Sequence, residues 1–385
     1  MAYYEDAQGG GVLVHAGVVS PHPPVRPTGC ATGYPREVNL GCPDDHDEWV
    51  TEFQEPVTRA CTAVVAGIAT ARPVVAVGMR AIIQEQYGGP DVLTLAERPD
   101  PKVAPGEVLI RVKSAGVNPV DWKLGAGYLD AMMEARFPII PGWDVSGVVE
   151  AVGLDVHEYR VGDEVVGYAR KDWVANGTYA ELVAANVRHI AAKPRALDWN
   201  EAAGLPLAGL TAYQMLDRAR IAEGDTVVVH AAAGGVGTFA TQLAVARGAR
   251  VIGTASERNH DFLRELGAEP VTYGDGLVER VRALAPEGID AAVDCVGGES
   301  IDASRELLKD LSRLVSVADP RAEELGGASM WVRPSAADLT ELSRLADAGE
   351  LRVFVDRVLP LEEAAEAWRL SQEGRARGKI VLSVS

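Results

Sequence analysis

Residues 225–237, Asp-Thr-Val-Val-Val-His-Ala-Ala-Ala-Gly-Gly-Val-Gly, constrain the fold of this chain more than any other stretch. The apolar run Val227–Val229 reads as a strand buried in a parallel sheet. It ends in small residues and continues as Thr238-Phe239-Ala240-Thr241-Gln242-Leu243-Ala244, which has helical spacing. Strand, glycine-rich turn and helix make the corner in which a dinucleotide fold holds a pyrophosphate. Small residues let the backbone approach the phosphates, and the helix N-terminus offers free N–H groups and a positive dipole end. A glycine-rich loop alone also fits an ordinary strand–helix turn. The second strand that follows, Arg250-Val251-Ile252-Gly253-Thr254, favours the cofactor corner.

With 385 residues the chain has room for two domains and an additional segment. Its net charge of -18 leaves no basic field to gather phosphates, and aromatics at 6% make no platform for stacking bases, so a nucleic-acid partner is not expected. The four cysteines, Cys30, Cys42, Cys61 and Cys295, have neither metal nor disulfide spacing, which fits a cytoplasmic setting. Residues 1–78 differ in character from the rest. Pro21-His22-Pro23-Pro24 and the acidic run Asp44-Asp45-His46-Asp47-Glu48 do not belong in a core, so the segment reads as a disordered extension. Glu5 and Asp6 stand where a signal peptide would be positive. Arg72-Pro73 interrupts the apolar stretch Ala60–Gly78, so no membrane span is expected. Met79 looks like a natural beginning.

From Met79 to about residue 198, short β-runs alternate with Gly/Pro turns: Val108–Lys113 after Pro105-Gly106, Gly147–Gly153 after Pro141-Gly142, Glu164–Gly167 after Gly162-Asp163. This predicts a mostly antiparallel, barrel-like domain over 79–198. From Trp199 to about 330, strand and helix alternate, with strands at 226–230, 250–254, 270–273, 289–294 and 311–318, which predicts a doubly wound parallel (Rossmann) sheet in an α/β fold. Residues 331–385 add a helix over Ala336–Ala348, a strand over Arg352–Val355, a helix over Leu361–Ser371 and a last strand over Lys379–Ser383.

The order of these elements and their motifs resembles the zinc-independent quinone oxidoreductase branch of the medium-chain dehydrogenase/reductase superfamily. The resemblance rests on Ala115-Gly116-Val117-Asn118-Pro119-Val120-Asp121, Pro141-Gly142-Trp143-Asp144-Val145-Ser146-Gly147, Gly162-Asp163-Glu164-Val165, Ala208-Gly209-Leu210-Thr211-Ala212-Tyr213, Ala231–Gly237, Leu266-Gly267-Ala268 and Gly378-Lys379-Ile380-Val381. It covers nearly all of Met79–Ser385 and none of the extension. It implies a GroES-like first domain to which the C-terminal segment returns, a nicotinamide cofactor and a homodimer.

Zinc-dependent relatives place a cysteine where this chain has Asn118, and a His-Glu pair where it has Trp143 and Asp144. Zinc needs three or four converging N, S or O ligands, so no metal is expected. His230 is expected to pack or hydrogen-bond at its strand end, and Cys295 to be a buried strand residue without nucleophilic character. Ala233, Gly234, Gly235, Val236 and Gly237 form the cofactor loop, with alanine at the first glycine position of the fingerprint. Beyond the second strand, Ser256 and Arg258 suit the 2′-phosphate of NADPH, whereas Glu257 would suit the ribose of NADH. NADPH is favoured. Tyr273, Val296 and Lys379 are expected beside the cofactor too.

The cofactor carries the hard chemistry, so the protein must mainly orient a substrate. By resemblance Asn118 lies near the nicotinamide and orients a substrate carbonyl. Asp121 and Lys123 complete a polar group at the old metal position, Lys123 facing developing enolate charge. Thr211 is the other candidate catalytic residue, and Tyr128, Trp143 and Tyr168 are expected to line the substrate pocket. Bland alternatives stand beside these: Asn118-Pro119 as a turn device, Asp121 with Lys123 as a surface ion pair, the aromatics as core. The expected activity is hydride transfer from NADPH to a quinone or enone. The alternatives are an enoyl reductase of thioester-bound or polyketide-like intermediates, or an NADPH-binding redox sensor or structural protein without turnover.

Overall fold

The computed structural model of the chain describes Gly78–Val384. The expectations for residues 1–77, Cys30, Cys42 and Cys61 among them, lie outside the described residues. The first lobe opens with the antiparallel pair β1 (Gly78–Ile83) and β2 (Thr94–Pro99). β3 (Glu107–Val117) follows, then the two-stranded ribbon of β4 (Ala135–Ile140) and β7 (Val174–Asn176) with β5 (Asp144–Val152) and β6 (Glu164–Tyr168) between them in sequence. β8 (Leu182–Asn186) and β9 (Ile190–Ala192) complete this part. The fold is the GroES-like lobe plus Rossmann sheet expected from the sequence.

β3 shows how the lobe is built. In its first half Val108, Ile110 and Val112 are buried while Arg111 between them is exposed, the alternation of a strand with one wet face. From Ser114 onward every residue is buried, because helix Trp199–Gly204 covers the outer face. The strand therefore delivers its C-terminal end, and Asn118 after it, into the interior.

The Rossmann sheet is formed by β10 (Thr226–Val229), β11 (Arg250–Thr254), β12 (Glu269–Val271), β13 (Ala291–Asp294), β14 (Leu314–Ser316) and β15 (Ala328–Ser329). All pairings are parallel, in the order β12-β11-β10-β13-β14-β15. Chain direction across the sheet reverses between β10 and β13, so the crevice at their carboxyl ends is the topological switch point. Val227, Val228 and Val229 are fully buried between two layers of helices, which is why the run shows no alternation.

The C-terminal strands β16 (Val355–Pro360) and β17 (Lys379–Ser383) leave this sheet: β17 pairs antiparallel with β3, and β16 parallel with β17. The strand expected at Arg352–Val355 starts instead at Val355. Gln242, on the helix after the glycine-rich loop, accepts from the Arg352 N–H (2.9 Å) and donates to its carbonyl (3.0 Å), so that stretch is tied to a helix and not to a ladder. The strand expected over 311–318 shortens to β14 because Asp310 caps a single 3₁₀ turn, Leu311–Arg313. Helix Trp199–Gly204 packs on β3, β5 and β17, so the change from strand-rich to alternating structure comes after Gly204, not at Trp199. Among the described residues no helix is long and apolar enough to cross a membrane.

Two glycines have a steric reason to be glycine. A Cβ on Gly237 would lie 2.1 Å from the Ala231 carbonyl oxygen, where helix Gly235–Ala246 crosses its own loop. Gly142 has φ 86 in the turn that presents Trp143 and Asp144. Gly237→Ala is expected to destabilise the fold by about 2 kcal/mol or more through overpacking against backbone. Urea unfolding of the variant against the wild-type chain measures this, and an unchanged midpoint would refute the steric reading.

Candidate active site

The glycine-rich turn is built as its sequence suggests. Ala231 takes φ 53, in the left-handed region, and turns the chain off the end of β10. Helix Gly235–Ala246 then starts with Gly234 as N-cap and no side chain capping its first N–H groups. At Gly234 and Gly235 an added Cβ would meet its nearest atoms, the Ala231 carbonyl oxygen and Lys379 Cδ, at 3.2 and 3.3 Å, tight contacts but far less severe than the one at Gly237. Above it lies a cleft of about 700 Å³ along the ends of β10, β11 and β13. Ala233, Gly234, Ser256, Arg258, Tyr273 and Val296 line it, six of the residues expected to hold a cofactor. The backbone amides, the free helix end and the cleft's place at the switch point fit a dinucleotide.

Glu257 is exposed on the first residue of a 3₁₀ turn and does not line the cleft, whereas its neighbours Ser256, Arg258 and Asn259 do. Arg258 Nη2 donates to the Arg375 carbonyl (3.3 Å), which brings a second arginine, missed from the sequence, to the same wall. His230 lies at the cleft floor, its Nε2 sharing a hydrogen bond with Ser304 Oγ (2.9 Å). Burial pushes its pKa down to about 4 against the pull of Asp294, so the ring is neutral near pH 7. Burial also pushes the Cys295 thiol above its ordinary range, which suits a structural residue.

The second part of the site lies where β3, β5, β17 and the helix Pro206–Arg218 meet. Helix Pro119–Gly125 starts with Asn118 as N-cap and proline in its first turn. Asp121 accepts from the Asn118 N–H (2.8 Å) and from the Tyr179 hydroxyl (2.9 Å). The Asn118 carboxamide stands in a capping box with Asp121 but makes no capping hydrogen bond. Its Nδ2 donates to Asp144 Oδ2 (2.9 Å), and its Oδ1 accepts from Lys379 Nζ. Asp144 Oδ1 accepts from the Leu207 N–H (2.9 Å), in the first turn of helix Pro206–Arg218, whose dipole favours a carboxylate there. Lys379 Nζ also donates to the Val117 carbonyl (3.2 Å) and stands 3.9 Å from Asp144 Oδ2.

The polar group at this position is thus Asn118, Asp121, Asp144 and Lys379. Lys123 is not in it: its side chain is exposed over the Trp122 ring, and buried Asp121 makes no ion pair with it. The two share a helix turn but not a face. Lys379, expected beside the cofactor, is buried and does not line the cleft. Thr211 is buried one turn beyond Leu207, its hydroxyl donating to the Leu207 carbonyl (2.6 Å). Trp143 packs edge-on against Tyr168 (5.9 Å between centroids) and against Trp331 (6.4 Å), a partner the sequence did not suggest. Tyr128 stays apart from them, 70% exposed and edge-on to Trp122. Among the described residues no three His, Cys, Asp or Glu side chains converge to hold a metal ion.

Comparison with known proteins agrees with this architecture. The alcohol dehydrogenase GroES-like domain family matches residues 104–195, and a family described as zinc-binding dehydrogenase matches residues 266–382. The chain is 30% identical over 330 residues to the chloroplast envelope quinone oxidoreductase homolog of Arabidopsis thaliana, covering 79% of this chain and 98% of that one. The chain belongs to the medium-chain dehydrogenase/reductase superfamily. It is 31% identical over 356 residues to the mitochondrial NAD(P)H oxidoreductase RTN4IP1 of Danio rerio, covering 80% and 91% of the two chains. The structure of the quinone oxidoreductase from Coxiella burnetii superposes with a TM-score of 0.71 at 35% identity, over 80% of this chain and all of that one. The protein is an oxidoreductase of the medium-chain type, of the quinone oxidoreductase branch.

Burial pushes Asp121 up to about 7 against the hydrogen bonds from Asn118 and Tyr179, and pushes Asp144 up to about 6 against Lys379. Between the ordinary carboxyl range and these values the folded chain holds protons that the unfolded chain has released. The contribution of both groups to stability therefore falls as pH rises from about 4 to about 7. Asp121→Asn keeps both acceptor contacts and removes one titration. Its melting temperature is expected to fall less between pH 5 and 8 than that of the wild-type chain; parallel curves would contradict the assignment.

Proposed function

We propose that this medium-chain oxidoreductase is a zinc-free, NADPH-dependent reductase of quinones or α,β-unsaturated carbonyl compounds. The observation that carries the reading is the buried group of Asn118, Asp144 and Lys379 in place of a metal centre. A carboxamide, one carboxylate and the apolar Trp143 do not fit zinc, and the Lys379 ammonium already supplies positive charge beside Asp144. When bound, the nicotinamide supplies a hydride. The chain's residues bind, orient and exclude water: Gly234, Gly235 and the helix N-terminus take the pyrophosphate, and Ser256 and Arg258 the 2′-phosphate. The Asn118 Nδ2 has a second N–H to donate to a substrate carbonyl as charge develops on its oxygen. Trp143, beside Asp144 in sequence, packs with Tyr168 and Trp331. A proton must reach the reduced substrate as well, to give a hydroquinone or a saturated ketone.

Loss of NADPH and NADH absorbance with a panel of quinones, enones and enoyl thioesters tests the reading. NADPH is expected to be the better donor. Arg258→Ala is expected to raise KM for NADPH by about tenfold, as loss of one charged hydrogen bond would, with little change for NADH. A preference for NADH would assign specificity to Glu257. Turnover restricted to enoyl thioesters would replace the proposed substrate class, and tight NADPH binding without turnover on any acceptor would favour a sensor.

Gly234→Ala places a methyl group 3.2 Å from the Ala231 carbonyl oxygen, a far milder contact than the 2.1 Å one at Gly237. It is expected to cost less stability than Gly237→Ala while weakening NADPH binding in a fluorescence titration. Unaltered affinity would move the pyrophosphate site elsewhere.

A further inference from the structure

We propose that Lys379 is a positioning residue that, together with Asp144, locks the Asn118 carboxamide in the one orientation that leaves an N–H free for substrate. The proposal rests on the reductase reading above and assigns within it a role to a residue that does not line the cofactor cleft.

Lys379 begins β17, and its N–H is held by the Phe354 carbonyl (2.8 Å). Its aliphatic stem passes between two glycines: a Cβ on Gly235 would lie 3.3 Å from Lys379 Cδ, and one on Gly204 3.3 Å from its Cβ and Cγ. The stem thus packs against the glycine-rich loop while the ammonium reaches the end of β3. There it donates to the Val117 carbonyl and to Asn118 Oδ1, with Asp144 3.9 Å away. An ammonium has three N–H donors. Two are spent on the Val117 carbonyl and Asn118 Oδ1, and the ammonium pairs with the Asp144 carboxylate at 3.9 Å.

A terminal carboxamide can be turned over to exchange its oxygen and nitrogen, and the two settings ordinarily differ little in shape. Here they differ greatly in charge. In the observed setting the amide oxygen meets the ammonium and an amide N–H meets the carboxylate. Turned over, the NH₂ group would face Lys379 and the oxygen would face Asp144, with both charge-assisted hydrogen bonds lost inside a buried site. The first N–H is held by Asp144, and among the described residues the second makes no hydrogen bond. Although Asn118 and Asp121 stand as a capping box, the Asp121 N–H is bonded by the Asn118 backbone carbonyl (3.0 Å) and not by the carboxamide. The carboxamide is left for another task, and two buried charges hold it.

The test uses the full chain with Lys379→Met, read in three ways. The NADPH dissociation constant is expected to stay the same, because Lys379 does not line the cleft. With quinone or enone, kcat is expected to fall about 10- to 100-fold, the scale of a misplaced orienting group. The Asn118 side-chain amide signals in a nitrogen–proton correlation spectrum, assigned by their loss in Asn118→Ala, are expected to move as the clamp opens. Adding Lys379→Met to Asn118→Ala is expected to cost little more, since the lysine acts through the asparagine. Should Lys379→Met leave Asp144 unpaired and prevent folding, Asp144→Asn/Lys379→Met compared with Asp144→Asn isolates the lysine by the same readings. A rise in the NADPH dissociation constant with unmoved Asn118 signals would overturn the proposal and make Lys379 a cofactor ligand. An unchanged kcat would overturn it as well. Absence of wild-type turnover on every acceptor refutes the reductase reading alone; the amide signals then still decide whether Lys379 holds Asn118.

Discussion

The contact between Lys379, Asp144 and Asn118 is the constraint on which the rest of the structure depends. Two charged side chains and a carboxamide are withdrawn from water at the meeting of the two lobes, and a buried charge without partners costs several kcal/mol. Each partner comes from a different part of the chain. Asn118 follows β3, Asp144 begins β5, Lys379 begins β17, and Leu207 lies in the first turn of the helix that carries Thr211. The C-terminal segment must therefore return to the first sheet, and the helix Pro206–Arg218 must begin where its N–H meets Asp144. Gly116 allows the close approach: a Cβ there would lie 2.4 Å from the Ala203 carbonyl oxygen and 3.0 Å from Asp144 Oδ2.

The cofactor cleft and the polar cluster are coupled through the same strand. The Gly378 N–H donates to the Ala233 carbonyl in the glycine-rich turn (3.2 Å), and the next residue carries the ammonium to Asn118. One short segment thus touches the loop suited to a pyrophosphate and the amide suited to a substrate. On the proposed reading this link holds two reactants in register, and in hydride chemistry register is most of what a protein contributes.

The parts of the site that follow from local sequence were legible. The glycine-rich turn, Ser256 and Arg258 are close to one another along the chain or follow the strand–turn–helix order, so pattern alone brings them to one cleft. Asn118 and Asp121 were legible as a pair because a helix start fixes their spacing. Lys123 was misjudged for the same reason: two residues apart on a helix means facing different ways, and the side chain lies on Trp122 in solvent. Asp144 was noted as a lost zinc ligand and not as a partner, and Trp331 was not noted at all. Both gain meaning from contacts across long sequence separation, with Lys379 and with Trp143. Arg352 shows the same limit in the fold, since a glutamine on a distant helix withdrew its backbone from the expected strand.

By itself, the sequence determined the two lobes, the parallel order of the second sheet and the place of the phosphate loop. Those features depend on short-range periodicity, on glycine at positions without room for a Cβ, and on the rule that a strand buried on both faces is apolar throughout. Tertiary structure alone decided which cation faces Asn118. A lysine 261 residues away supplies it, while the lysine five positions away does not, because buried charges choose partners by three-dimensional proximity and desolvation. It also decided that Glu257 turns outward where Arg258 lines the cleft. A single 3₁₀ turn separates those two directions, and Arg258 is held on the cleft side by the Arg375 carbonyl, 117 residues away in sequence.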